Sequence, residues 1–173
     1  MSLHLQKKGF DVTGVDYSQK SIDICKRIAK KYKLDDTTFL YRDATDTGLE
    51  SSSFDVAYCT DIVEHLYPDI YIKLFEESRR LLKVGGKLII YTPNPSHYLE
   101  ILKNHNIILK KDITHVDYKK MKRLKKSLQN TGIIIKKSYY IESHLPIINI
   151  IEKYSMKIIP FLRRRNAILA IKQ

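Results

Sequence analysis

The feature that most constrains this chain is a repeated one: three short runs with β-strand composition, each followed closely by an aspartate. Phe10 to Val15 (F-D-V-T-G-V) leads into Asp16, Thr37 to Tyr41 into Arg42-Asp43-Ala44, and Phe54 to Cys59 into Thr60-Asp61. Between the first two runs, Ile22, Cys25, Ile28, Ala29 and Tyr32 recur at three- and four-residue spacing, which predicts a helix with one buried face, and Ser18 can cap its start. Strands that alternate with helices predict an α/β fold, with a mostly parallel sheet and helices on both faces. Such sheets bind ligands beyond the carboxyl ends of their strands, where these three acids stand.

The alternation continues downstream. Ser2 to Lys8 reads as the end of a helix broken by Gly9. Ile70, Leu74, Phe75, Leu81 and Leu82 mark an amphipathic helix that should stop at Gly85-Gly86, since glycine takes up the left-handed conformation that ends many helices. Lys87 to Thr92 reads as a fourth strand, which Pro93-Asn94-Pro95 ends. The pattern weakens from Ser96 to His115. Tyr118 to Asn130 is a lysine-rich helix with Met121, Leu124 and Leu128 facing inward, closed by Gly132. Ile133 to Ile141 and Asn166 to Ile171 are two further strands, separated by an apolar helix from about Leu145 to Ile159.

A length of 173 residues predicts a single domain over residues 1–173. Only six glycines occur and no two form a G-x-G, so the glycine-rich loop that usually cradles a phosphate or nucleotide is missing. The net charge of +12 is uneven: residues 1–100 hold 14 basic and 15 acidic side chains, residues 101–173 hold 17 and 4. Such asymmetry marks either an anionic partner or a solvated lysine-rich surface. Cys25 and Cys59 are too few for a disulfide framework or a zinc finger, which fits a reducing compartment. With no apolar run long enough to span a bilayer and no signal-peptide core at its start, the chain is expected to be cytoplasmic.

Each strand-end acid has a definite chemical use. A carboxylate at Asp16 can accept hydrogen bonds from both vicinal hydroxyls of a ribose, and one at Asp43 can accept from an exocyclic amine such as that of adenine. Taken in order, V-T-G-V-D-Y-S, F-L-Y-R-D-A, F-D-V-A-Y-C-T-D-I-V-E-H-L and L-L-K-V-G-G-K-L-I-I-Y-T-P-N resemble the successive signature segments of class I S-adenosylmethionine-dependent methyltransferases, closest to the ubiquinone-biosynthesis O-methyltransferase type. The resemblance implies a Rossmann-like fold, S-adenosyl-L-methionine as cofactor, Asp16 on its ribose with Tyr17 near the adenine, Asp43 and Ala44 at the adenine, and Cys59 with Thr60 along the methionine end. It also implies in-line methyl transfer to a small-molecule or lipid-linked acceptor, most simply at oxygen, with an RNA acceptor as an alternative and other nucleic-acid contact not expected.

His65, four residues after Asp61, is the candidate base, because histidine titrates near neutrality. Asp61, Glu64 and His65 at i, i+3 and i+4 place two carboxylates and an imidazole on one helical face, and His115 in H-V-D-Y can complete a set. Mixed oxygen and nitrogen donors suit a divalent cation such as Mg²⁺, Mn²⁺ or Zn²⁺. The set resembles the acid-x-x-Glu-His plus distant His arrangement of small-RNA 3′-end methyltransferases and some quinone O-methyltransferases, with Asp61 in place of the usual Glu.

Residues 142–165 form an apolar and basic element. Ile147, Ile148, Ile150, Ile151, Tyr154, Ile158 and Ile159 make a stripe, Lys153 and Lys157 lie on the other side, and Arg163-Arg164-Arg165 follow Pro160. This is the pattern of a lid that packs its stripe on the sheet with solvated arginines, or of an interfacial helix that makes peripheral membrane contact. The resemblance also implies a first strand and glycine-rich loop upstream of Leu3, which are missing here. The expectation is therefore an N-terminally truncated domain that binds the cofactor poorly, or a catalytically inactive remnant acting as a basic binding module.

Overall fold

The computed structural model describes residues 1–35, 38–107, 110, 112–143 and 148–173. They form two compact units, residues 1–49 and residues 50–173.

In the first unit, α1 (Ser2–Gln6) ends ahead of Gly9, which has φ +82°. Strand β1 (Gly14–Asp16) runs parallel to β2 (Phe39–Tyr41), with Asp16 opposite Tyr41. The crossover between them is α2 (Gln19–Lys31), as a parallel pair requires. Its cap is the expected one: Ser18 Oγ accepts from Ser21 N at 3.3 Å. Ile22 and Ala29 of α2 and Phe39 of β2 form the core, with Leu3, Cys25 and Leu34 packed against it. Ile28 and Tyr32, expected on the same face, are 37% and 51% exposed. Strand β1 is shorter than the expected Phe10 to Val15, because among the described residues only Gly14 to Asp16 find a partner strand and Phe10 is 60% exposed. The expected start of the second strand, Thr37, lies outside the described residues.

In the second unit, β3 (Phe54–Thr60) pairs parallel with β4 (Leu82–Pro93) across α3 (Pro68–Leu81). Tyr98–Asn104 form α4, Met121–Asn130 α5, Ile133–Ile141 β5, Ile148–Ser155 α6 and Arg165–Lys172 β6. The strand order is β3-β4-β6-β5, and β6 runs antiparallel to both of its neighbours. Strand pairing is thus parallel wherever a helix connects consecutive strands in β1–α2–β2 and β3–α3–β4, and turns antiparallel only around β6.

Leu74 and Phe75 of α3, Leu88 and Ile90 of β4, Leu124 and Leu128 of α5, and Ile168 and Ala170 of β6 are all buried. The hydroxyls of Tyr71 and Ser127, 2.9 Å apart, tie α3 to α5.

Helix α3 does not end on glycine. Leu82 is already extended, pairs with Phe54, and begins β4. Between Leu82 and Lys87 the strand loops out of register, and the two glycines make that excursion possible: Gly85 has φ +79°, and a Cβ on Gly86 would lie 2.8 Å from the Lys83 carbonyl oxygen. Strand β4 then ends at Pro93 as expected.

The stretch with weak sequence pattern contains α4, and the expected helix from Leu145 is described only as α6, since residues 144–147 lie outside the described residues. Helix α6 differs from the lid expectation, in which its apolar stripe packs on the sheet. Ile150, Ile151 and Tyr154 are 59%, 56% and 73% exposed, and the buried residue is Glu152. The three arginines are half-buried, and each is engaged within the chain. Arg163 donates to the Met156 carbonyl at 2.9 Å and lies over the Tyr140 ring, Arg164 pairs with Glu100, and Arg165 pairs with Asp61.

Candidate functional site

The first unit carries two of the strand-end acids. Asp16 closes β1, and its Oδ1 accepts from Ser18 N at 2.8 Å, so Oδ2 has no hydrogen-bond partner among the described residues. Tyr17 beside it is 77% exposed. Asp43 follows β2, and its Oδ1 accepts from both the backbone N and Oγ1 of Thr45 at 2.8 Å. Ala44 is half-buried next to it. Both acids therefore stand at strand ends, each already oriented by a local turn.

The second unit carries the other candidates. Strand β3 delivers Cys59, Thr60 and Asp61. The Cys59 side chain is buried with Sγ 4.0 Å from Ser78 Oγ of α3, and burial pushes its thiol up to about 11. Thr60 is half-buried. Asp61 has φ +52°, and its N–H is held by the Tyr91 carbonyl at 2.9 Å. This turn leads into a single 3-10 turn, Val63–His65, in place of the longer helix that the i, i+3, i+4 spacing presumes.

Glu64, His65 and His115 come together, with one ligand atom from each lying within 4.8 Å of the others. Asp61 is not among them. Its carboxylate pairs with Arg165, and the left-handed turn at Asp61 takes it off the face that Glu64 and His65 share.

What brings a distant histidine to this turn is a set of backbone hydrogen bonds. The N–H groups of Val116 and Asp117 donate to the Glu64 carbonyl at 3.1 and 3.3 Å, and His65 Nδ1 lies 3.0 Å from the Thr114 carbonyl. Lys119, 2% exposed, clamps the same two segments: its ammonium donates to the carbonyls of Val63, Leu66 and Asp117 at 2.7, 2.7 and 2.6 Å. Burial pushes Lys119 down to about 8. None of this was visible in the sequence, where Lys119 is one of a run of surface-type lysines.

The electrostatics follow from burial. Glu64 is 2% exposed and its acidity is weakened by desolvation, although Thr92 Oγ1 donates to its Oε2 at 2.8 Å. Burial lowers the His115 value and so favours the neutral ring. The two imidazoles meet edge to face, 4.7 Å between centroids. A carbonyl can only accept, so His65 Nδ1 carries the proton and Nε2 of the neutral ring is the open acceptor. One carboxylate and two imidazoles suit Mn²⁺ or Zn²⁺ in donor type, and Mg²⁺ less well.

Residues 1–90 match the methyltransferase domain family. The chain belongs to that family, and with it to the class I S-adenosylmethionine-dependent methyltransferases. It is 33% identical over 94 residues to a ubiquinone biosynthesis O-methyltransferase of Coxiella burnetii, a stretch that is 54% of this chain and 39% of that protein. It is also 35% identical over 106 residues to a 23S rRNA (uracil(747)-C(5))-methyltransferase of Pyrococcus horikoshii, covering 61% of this chain and 23% of that one. The matched stretch thus spans about two fifths or less of these relatives. A crystal structure of a SAM-dependent methyltransferase from Archaeoglobus fulgidus has the same fold, with TM-score 0.74 and 22% identity over 98% of this chain and 80% of its own.

Proposed function

We propose that the protein transfers a methyl group from S-adenosylmethionine to a hydroxyl oxygen of a small-molecule or lipid-linked acceptor, and that residues 1–173 act as one methyltransferase domain. The observation that carries this reading is the orientation of His65, whose Nε2 is left as an acceptor beside Glu64 and His115. Bound S-adenosylmethionine supplies the electrophilic methyl on its sulfonium. Asp16 Oδ2 would receive the ribose hydroxyls, Asp43 with Ala44 the adenine amine, and exposed Tyr17 would cover the base. Thr60 and the backbone at Cys59 would serve the methionine end, since the Cys59 thiol is packed against Ser78. His65 would take the proton that the acceptor hydroxyl loses as the O–C bond forms and the S–C bond breaks, leaving the neutral thioether. With a divalent cation held by Glu64, His65 and His115, His65 Nε2 would be a ligand in place of the base, and the cation would acidify the hydroxyl.

The name of the Coxiella relative, a ubiquinone biosynthesis O-methyltransferase, supports a phenolic hydroxyl on a prenylated ring. The test is transfer of label from methyl-tritiated S-adenosylmethionine to a prenylated catechol by the protein from its whole reading frame. His65→Ala should lose about 10²–10⁴-fold in kcat, the usual worth of a general base. Unchanged turnover in His65→Ala refutes the role of His65. Label that goes to ribosomal RNA and not to the catechol supports the RNA alternative, and no transfer to either supports an inactive binding module.

A lipid-linked acceptor is favoured by α6, which turns Ile150, Ile151 and Tyr154 to solvent with Lys153 also exposed. Because the three arginines are committed within the chain, membrane contact would rest on this apolar stripe with Lys153 and Lys157. The triple change of Ile150, Ile151 and Tyr154 to Ser should abolish co-sedimentation with vesicles containing phosphatidylglycerol. Wild-type protein that never sediments with them removes this reading.

A further inference from the structure

Behind His115 lies a chain of polar contacts that the proposed chemistry has not used. Glu100 of α4 is 3% exposed, and its Oε1 pairs with Arg164. Its Oε2 accepts the phenolic O–H of Tyr118 at 3.3 Å. The Tyr118 oxygen in turn lies 2.6 Å from His115 Nδ1, with the rings edge to face at 5.0 Å. A phenol has one proton to give. If it goes to the carboxylate, the phenol oxygen is an acceptor, and the proton in the 2.6 Å contact must sit on Nδ1 of His115.

The competing arrangement would put the His115 proton on Nε2, facing Asp112. That contact, to Asp112 Oδ2, is 3.6 Å, too long for a hydrogen bond, and the same oxygen faces Lys103 Nζ at 3.6 Å. Buried Glu100, whose Oε2 lies 3.3 Å from the phenol oxygen, is therefore the acceptor of its proton.

We infer that Glu100 and Tyr118 are positioning residues that hold His115 in its Nδ1–H tautomer, so that both His115 and His65 offer an Nε2 lone pair to whatever electrophile the Glu64–His65–His115 cluster receives. His65 gets the same setting from the Thr114 carbonyl, His115 from a tyrosine backed by a carboxylate. Outer hydrogen bonds of this kind fix the ring orientation and basicity of ligating or proton-accepting histidines. The inference rests on the proposed reading of the cluster, but its test does not pass through activity.

The test is long-range ¹H–¹⁵N correlation on metal-free, ¹⁵N-histidine-labelled protein at neutral pH. His115 Nδ1 should resonate as a protonated nitrogen and Nε2 as an unprotonated one. In Tyr118→Phe, which preserves the ring, His115 should shift toward the Nε2–H form that unconstrained histidine favours. Its affinity for added Zn²⁺ should fall about 10–100-fold, the usual cost of losing such an outer partner. A wild-type His115 protonated at Nε2, or a tautomer and Zn²⁺ affinity unchanged in Tyr118→Phe, overturns the inference. Unchanged methyl transfer in His65→Ala, with the His115 tautomer intact, would refute the role of His65 and leave this inference standing, so the two readings fail separately.

Discussion

Glu152 should be the most expensive single side chain to remove from α6. It is fully buried, and each of its oxygens has a partner: Oε1 receives His97 Nε2–H at 3.0 Å and Oε2 receives Ser143 N–H at 2.5 Å. His97 is equally buried, and its Nδ1 accepts from Leu99 N at 3.3 Å, which fixes the proton on Nε2. Glu152→Ala strands two buried donors at about 1–3 kcal/mol each and leaves a cavity, so a loss of about 3–5 kcal/mol is expected. In a chain of this size that corresponds to a fall of about 6–20 °C in Tm. Glu152→Gln keeps the His97 contact but sets an amide N–H against Ser143 N–H, and should fall between wild type and alanine.

Urea denaturation followed by circular dichroism measures all three proteins, and an alanine variant within about 1 kcal/mol of wild type refutes the reasoning, because exposed substitutions commonly cost less than that. A pH dependence follows from His97. Burial lowers its value from 6.5, so the unfolded chain binds more protons just below that pH. Stability must then fall as pH drops from 6.5 toward the folded value. His97→Gln, which cannot titrate, should show a shallower loss over the same range.

Other expectations follow from single sites. With its thiol raised to about 11, Cys59 should resist iodoacetamide at pH 8 while half-exposed Cys25 is alkylated; equal labelling of both in the folded protein would contradict the packing against Ser78. Gly86→Ala should cost about 1–3 kcal/mol through overpacking, since the new methyl meets the Lys83 carbonyl at 2.8 Å, and a neutral urea midpoint would show that the excursion in β4 yields freely. Lys119→Met takes the donor from three carbonyls and should lose about 2–4 kcal/mol, where a solvated lysine would lose nothing measurable.

What could be read from the sequence depended on how far away the deciding partner lay. The Ser18 cap, the inward face of α5 and the end of β4 at Pro93 are local, set by residues within a turn or two. The end of α3 was misplaced because it is decided by Phe54, which draws Leu82 into a strand before any glycine is reached. The burial of Glu152 on α6 is likewise decided at a distance, since its partner His97 lies 55 residues earlier in the chain.

The site shows both cases at once. Glu64, His65 and His115 meet as their types predicted, but Asp61, which fits the spacing equally well, is taken by Arg165 from the far end of the chain. Spacing along a helix assumes that the helix exists, and here it is one 3-10 turn entered through a left-handed residue, so only the adjacent Glu64 and His65 keep a common direction. The groups that hold His115 in place, Lys119, Tyr118 and Glu100, were legible only as a surface-type lysine, an aromatic and an acid. Their function comes from being buried, and burial of a polar side chain is decided by its partners rather than by its own residue type.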